Sequence, residues 1–305
     1  MPGQIRIALT FAVICGGALC STAQAQSIQG PDMGRLLATG GITSVEGTGG
    51  GGLVPWALIT GYGTRDSYGA NVSATNLDTQ DYSLKTYGIA VGIADRIEFS
   101  LAQQDFRGTD AALDGIGIKQ DIFGIKVKVA GDALYEQDRF IPQIAIGAQY
   151  KRNNGITGPL AAAGITNVTQ LGAADDSGID YYVAATKILL DQSLLLNATV
   201  RFTKANQFGL LGFGGPGGNS YEPVLEGSVA YLVNRNVVLG AEYRQKRGNL
   251  DPVAVDKEDD AYDVFLAYFP TKNISLTAAY VVLGDITRFN PTNQKGLYLS
   301  IQAGF

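Results

Sequence analysis

The chain has 305 residues, including 40 Gly, 15 Tyr, 12 Phe, two Cys, one Trp and no His, with 23 Lys and Arg against 28 Asp and Glu. A net charge of −5 excludes the basic footprint of a nucleic-acid binder. The absence of His excludes Ser-His-Asp and Cys-His hydrolases and removes the imidazole on which most catalytic zinc sites depend.

Residues 1–25 read as a secretory signal peptide. Arg6 supplies the charge, Ile7 to Leu19 the apolar run, and Ala23-Gln24-Ala25 the small-x-small cleavage pattern. The alternative, an uncut membrane anchor, is opposed by an apolar core too short to span a bilayer. Cys15 and Cys20 both fall inside the signal, and Ile14 and Leu19 before them are too large for lipoprotein cleavage. The exported chain is then free of thiols and is no disulfide scaffold.

Residues 26–52 read as a Gly-rich periplasmic arm. Gly47 to Gly52 match G-x-G-x-x-G by letter, but a dinucleotide site needs a strand before the motif and a helix after it. The sequence from Trp56 onward reads as a strand, which makes the glycines a hinge, and no cofactor is expected.

Residues 53–305 read as an all-β domain of about twelve strands, near 53–63, 82–93, 96–104, 116–130, 140–151, 180–190, 193–204, 222–233, 236–247, 261–269, 273–283 and 295–305. The signal is a period of two. Leu194, Leu196, Ala198, Val200 and Phe202 alternate with Leu195, Asn197, Thr199, Arg201 and Thr203, and the last strand repeats the pattern to Phe305. A soluble sandwich and a membrane barrel share such alternation; the connections separate them. Short ones near 94–96, 191–193, 234–236 and 271–273, and a longer one at 131–139, alternate with long ones at 64–79, 104–114, 152–178, 205–220, 248–259 and 284–293. That rhythm is the hairpin layout of a transmembrane antiparallel up-and-down barrel with periplasmic termini. Tyr62, Tyr87, Tyr150, Tyr231, Tyr243 and Tyr280 fall toward strand ends, where an aromatic girdle sits.

Two stretches carry a resemblance. The alternation ending in Phe305 is similar to the C-terminal signal of bacterial outer-membrane proteins, which implies the barrel-assembly machinery as a partner. Gly34 to Gly41, Gly51 to Ala57 and Gly61-Tyr62-Gly63-Thr64 resemble an uncharacterised Gram-negative family catalogued only as a domain of unknown function. Membership implies an exported barrel in contact with outer-membrane lipid and lipopolysaccharide, and implies no activity and no site residues.

The alternation places Glu98, Lys126, Lys128, Lys187, Arg201, Glu226, Glu242, Arg244 and Asp263 in the lumen, since a Lys or Arg facing lipid at mid-membrane costs about 2–4 kcal/mol. Two readings stay open: charges lining water, or ion pairs sealing a narrow barrel. Asp256 to Asp260, with Asp251 and Asp263 nearby, reads as a solvated acidic outer loop rather than a cation site, because no spacing matches a calcium loop. Glu226 and Glu242 are formally a carboxylate pair for glycoside hydrolysis, but nothing sets their protonation apart. No catalytic residue, metal or cofactor is expected. The loops 155–174 and 209–218 are apolar enough to fold into the mouth or pack at the rim. The expected function is passive diffusion of small solutes through a mixed-charge lumen. A plugged scaffold barrel and uptake of small hydrophobic molecules are the alternatives.

Overall fold

The computed structural model describes residues 40, 42–110, 113–250, 258–287, 290 and 292–305. The signal peptide and most of the expected arm lie outside the described residues.

Twelve strands alternate inward and outward side chains: β1 (Tyr68–Thr79), β2 (Tyr82–Ile93), β3 (Ile97–Gly108), β4 (Gly117–Ala130), β5 (Gln143–Thr157), β6 (Ser177–Leu189), β7 (Leu194–Thr203), β8 (Glu222–Asn234), β9 (Val237–Arg244), β10 (Ala261–Tyr268), β11 (Ile274–Gly284) and β12 (Gln294–Gly304). Each pairs antiparallel with its sequence neighbours, and β1 pairs with β12 from Asn71↔Gly304 to Thr79↔Gly296, which closes the barrel. Closure satisfies the strand backbones and leaves no edge, the condition for a sheet to cross a bilayer. The outward positions are apolar: Val72, Ile89, Leu101, Phe123, Ile146, Val200, Leu239, Leu266 and Ile301 are all exposed on the outer face. Tyr87, Tyr150, Tyr231, Tyr243 and Tyr280 join this surface, as the girdle requires.

Eleven strands lie where the alternation puts them; the first does not. Residues 53–63 form no strand, and β1 occupies 68–79, a stretch expected to be a long loop. The two were exchanged because hydrophobicity follows burial. Leu53, Val54, Trp56, Leu58 and Ile59 are apolar because they are buried, each at most 6% exposed. The outward residues Ala70, Val72 and Ala74 of β1 are small, and its inward residues Asn71, Ser73 and Thr75 are polar, so its alternation is faint. The rhythm of connections is altered accordingly. Gln80 and Asp81 alone join β1 to β2 at the end where the long loops gather, and 131–142 is long at the opposite end. That opposite end also holds Phe305, whose N–H donates to the Ala70 carbonyl at 2.8 Å.

The expected periplasmic arm is corrected in its described part. Residues 42–60, hereafter the luminal segment, bond to side chains around the whole inner wall. The Thr43 N–H donates to Gln302 Oε1 on β12, Leu53 N–H to Glu242 Oε2 on β9, Trp56 Nε1 to Ser228 Oγ on β8, and Ala57 N–H to Thr186 Oγ1 on β6. In return, Gln104 Nε2 on β3 and Gln143 Nε2 on β5 donate to the carbonyls of Val45 and Ala57. Only a segment inside the barrel reaches all these strands. It enters and leaves at one end: the Gly61 N–H donates to the Gly40 carbonyl at 2.7 Å, and the Tyr62 N–H to the Phe305 carbonyl at 2.8 Å. Tyr62 is consequently buried beneath Lys272 and belongs to no girdle.

Glycine makes the insertion possible. A Cβ at Gly51 would lie 1.9 Å from Glu242 Oε1, and at Gly47, which has φ +84°, 2.8 Å from the Ala102 Cβ. The G-x-G-x-x-G letters mark close approach to the wall, not a hinge or a phosphate cradle.

Candidate functional site

Eight of the nine residues placed inside by alternation face the lumen and are buried: Glu98, Lys126, Lys128, Arg201, Glu226, Glu242, Arg244 and Asp263. Lys187 does not. On β6 the inward positions are Asp180, Tyr182, Ala184, Thr186 and Ile188, so Lys187 points outward near the strand's end. Its ammonium donates to the carbonyls of Glu136 and Arg139 in the 131–142 connection, at 2.6 and 2.9 Å. The alternation of β6 decides this, because successive side chains point to opposite faces and Lys187 falls among the outward ones.

The luminal segment supplies one counter-charge to the inward bases, the Glu46 carboxylate. Glu46 accepts from Lys151 Nζ at 2.5 Å and Arg244 Nη2 at 2.8 Å, and its other oxygen lies 3.3 Å from Arg201 Nη2. Arg201 also reaches Glu226 at 2.5 Å and Asp180 at 3.4 Å; Lys151 reaches Asp180 at 2.7 Å, and Arg244 reaches Glu226 at 3.2 Å. Three bases and three acids thus form one cluster, with no side chain in it more than 3% exposed. Toward the other end Lys126 pairs with Glu98 at 3.0 Å and donates to the carbonyls of Gly49 and Trp56. Glu98 in turn accepts from Thr48 Oγ1 and from the Gly49 and Thr60 N–H groups. Lys128 pairs with Asp95 and Asp132 at the barrel end. Among the described residues, six of the eight inward charges lie in ion pairs; Glu242 instead accepts from the Leu53 N–H and Ser228 Oγ, and Asp263 faces no cation within salt-bridge distance.

Sequence reasoning missed Glu46, Lys151 and Asp180. Lys151 ends the expected strand 140–151, and Asp180 starts the expected strand 180–190, so both sat on boundaries. Glu46 lay in a segment taken to be outside the barrel. A lone Glu among the glycines of residues 40–52 was the available signal.

At the long-loop end a second layer covers the segment. The loop 204–221 turns inward at Gln207, Phe208 and Gly209, which hold φ of 45°, 61° and 98°. The Phe208 carbonyl accepts from Gln120 Nε2 and Lys151 Nζ, and the Leu210 carbonyl from Asn153 Nδ2. The Phe208 ring lies 4.2 Å from the Arg244 guanidinium carbon. The loop 158–176 packs behind this roof: Ala174 and Asp175 donate to the Phe213 carbonyl, and a Cβ at Gly212 would strike Ala173 and Val168. Of the two apolar loops, 204–221 enters the mouth and 158–176 buttresses it at the rim.

The acidic run is not wholly solvated. Asp251 and Asp256 lie outside the described residues, but Glu258 is 3% exposed and accepts from the Gln207 N–H. Burial pushes the Glu258 carboxyl up to about 7 against the field of Lys246. Burial likewise holds Lys246 below its ordinary range, while its ammonium donates to Gln207 Oε1 and the Leu283 carbonyl.

The chain belongs to the family described as proteins of unknown function, DUF3034, whose model matches residues 39–302, luminal segment included. No curated protein matches the sequence. Among solved structures it is similar to the KdgM porin (11% identity, 77% of this chain and 99% of that one, TM-score 0.47). It is also similar to the NanC porin (10% identity, 77% and 98%, TM-score 0.46) and to the outer membrane phospholipase of Salmonella typhi (10% identity, 80% and 91%, TM-score 0.40). At these identities the likeness is one of barrel architecture.

Proposed function

We propose that this member of the DUF3034 family is a gated outer-membrane conduit for small solutes, held shut by its own luminal segment. The passive channel expected from the sequence is kept, and of its two lumen readings this one takes the ion-paired lumen as the closed state. The observation that carries this reading is Glu46, a carboxylate on the segment that completes a cluster with Lys151, Arg201 and Arg244 on three different strands. A latch built from ion pairs differs from a covalent or purely apolar plug. Buried pairs add little net stability over well-packed apolar groups, but losing one partner is costly. A state in which the segment leaves must therefore hydrate the whole cluster at once, which makes closure two-state rather than leaky.

The test is single-channel recording in planar bilayers. The full-length mature protein is expected to stay closed most of the time. A variant lacking residues 42–60, and the milder Glu46→Gln, are expected to raise the open fraction. A full-length protein that conducts steadily would overturn the gate. A deleted barrel that folds, judged by its heat-dependent gel mobility, yet passes no current would favour the plugged scaffold instead.

A further inference from the structure

Between the tip of the luminal segment and the inturned loop lies an enclosed apolar chamber that the ion-pair latch does not use. Val45 and Leu53 of the segment form its floor, and Phe208, Leu210 and Leu211 its roof. The wall changes character at this level. Lower inward positions of β3 and β4 carry Glu98 and Lys126, whereas here β1, β2 and β3 present Leu77, Tyr82, Leu84 and Phe106. The Tyr82 and Phe106 rings stack at 5.1 Å, and the Tyr82 hydroxyl turns away to Thr287 Oγ1. Among the described residues no charged side chain lines the space, and Thr79 and Gln207 are the polar residues at its margin.

Closed, the chamber holds about 30 Å³ of free room, no more than a water or two. Its roof holds strained backbone. Gln207 and Phe208 hold left-handed backbone, which is unfavourable for a residue that carries a Cβ. The rim above this sector is also the least covered by its own hairpin, since only Gln80 and Asp81 join β1 to β2.

We propose that the chamber under Phe208, Leu210 and Leu211 is a binding site for small uncharged apolar molecules, such as single-ring aromatics or short alkyl compounds, admitted as the roof lifts. The inference rests on the gated-conduit reading and names the solute class of that conduit. A stacked aromatic wall with no charge favours a neutral, flat solute. A charged one would lose its hydration against side chains that carry no charge.

The experiment uses the full mature chain in lipid nanodiscs and a radiolabelled phenyl-diazirine as photoreactive probe, with labelled positions mapped by mass spectrometry. Leu297, Leu299 and Ile301 of the lipid-facing belt are expected to label in proportion to probe concentration. Leu77, Leu84 and Phe106 are expected to label saturably and to be protected by excess toluene. Leu210→Gln with Leu211→Gln, in a loop outside the strand wall, should weaken that saturable component at least about tenfold and leave the belt unchanged. Labelling confined to the belt, or inward labelling that toluene does not protect, would overturn the site. Because labelling is read with the luminal segment in place, it stands or falls separately from the conductance result.

Discussion

Glu46 and Arg244, 198 residues apart in the chain, meet at 2.8 Å inside the barrel, where neither side chain is more than 3% exposed. The contact joins the luminal segment to β9. Arg244 continues to Glu226 and Arg201 to Asp180, so the segment is fastened to β5, β6, β7, β8 and β9 through a single carboxylate.

Removing that carboxylate leaves three cations facing two acids. Glu46→Ala is expected to lower barrel stability by about 3–5 kcal/mol, the cost of stranding buried charge. Urea unfolding of the refolded protein in lipid vesicles measures it. A loss below about 1 kcal/mol would show that water already reaches the cluster.

Trp56 is the chain's single tryptophan, 3% exposed and donating to Ser228 Oγ. It reports directly on whether the segment is seated. In the native protein its emission should be blue-shifted and poorly quenched by acrylamide. Gly51→Val drives a side chain into Glu242, since even a Cβ there would lie 1.9 Å from Oε1. Red-shifted, quenchable emission in a barrel that still shows heat-dependent mobility is the expected result; an unchanged spectrum would place the segment elsewhere.

Lys126 and Glu98 form a separate test of sealing. Lys126→Met alone leaves the buried Glu98 with only hydroxyl and backbone donors. It is expected to cost more than Lys126→Met combined with Glu98→Gln, in which no charge is stranded. Lys187→Ala, by contrast, removes an outward ammonium and should leave conductance and ion selectivity of the opened barrel unchanged. A shift in reversal potential on that substitution would return Lys187 to the water path.

Without histidine, pH dependence near neutrality falls to raised carboxyls, and Glu258 at about 7 is placed to act on the roof. Its carboxyl holds a proton in the folded loop that the unfolded loop has lost above its ordinary 4.5. The roof therefore keeps its full stability below about pH 4.5 and loses it as pH rises through about 7. Lys246, Asp259, Asp260 and Arg244 set the surrounding field. A single cysteine at Leu210, compared with one at the exposed Thr271, should react faster with maleimide at pH 8 than at pH 6. Glu258→Gln should flatten that difference; a difference that persists in Glu258→Gln assigns the dependence to another group.

The barrel wall was legible because it depends on local sequence. A strand between lipid and lumen alternates residue by residue, and a tight turn or long loop ends it, so β2 through β12 could be placed from pattern alone. Eight lumen charges followed from the same parity, since lipid forbids the opposite choice. The filling of the lumen was not local. Apolar Leu53 to Ile59 reads equally well as a strand facing lipid or as a segment buried by a surrounding sheet, and only closure of β1 on β12 encloses it. That Arg201 and Arg244 share a second carboxylate besides Glu226 depends on Glu46, about 150 or more residues away in sequence, and no spacing rule links them. Lys187 was decided by which of the two alternating sets of β6 faces inward, and the buried Asp180, Tyr182, Ala184 and Thr186 take that side. The sequence by itself determined a closed, lipid-facing barrel with charges inside; the tertiary structure alone decided that six of those charges are ion-paired and that residues 42–60 fill the space between them, because ion pairing is set by which residues the closed wall brings together.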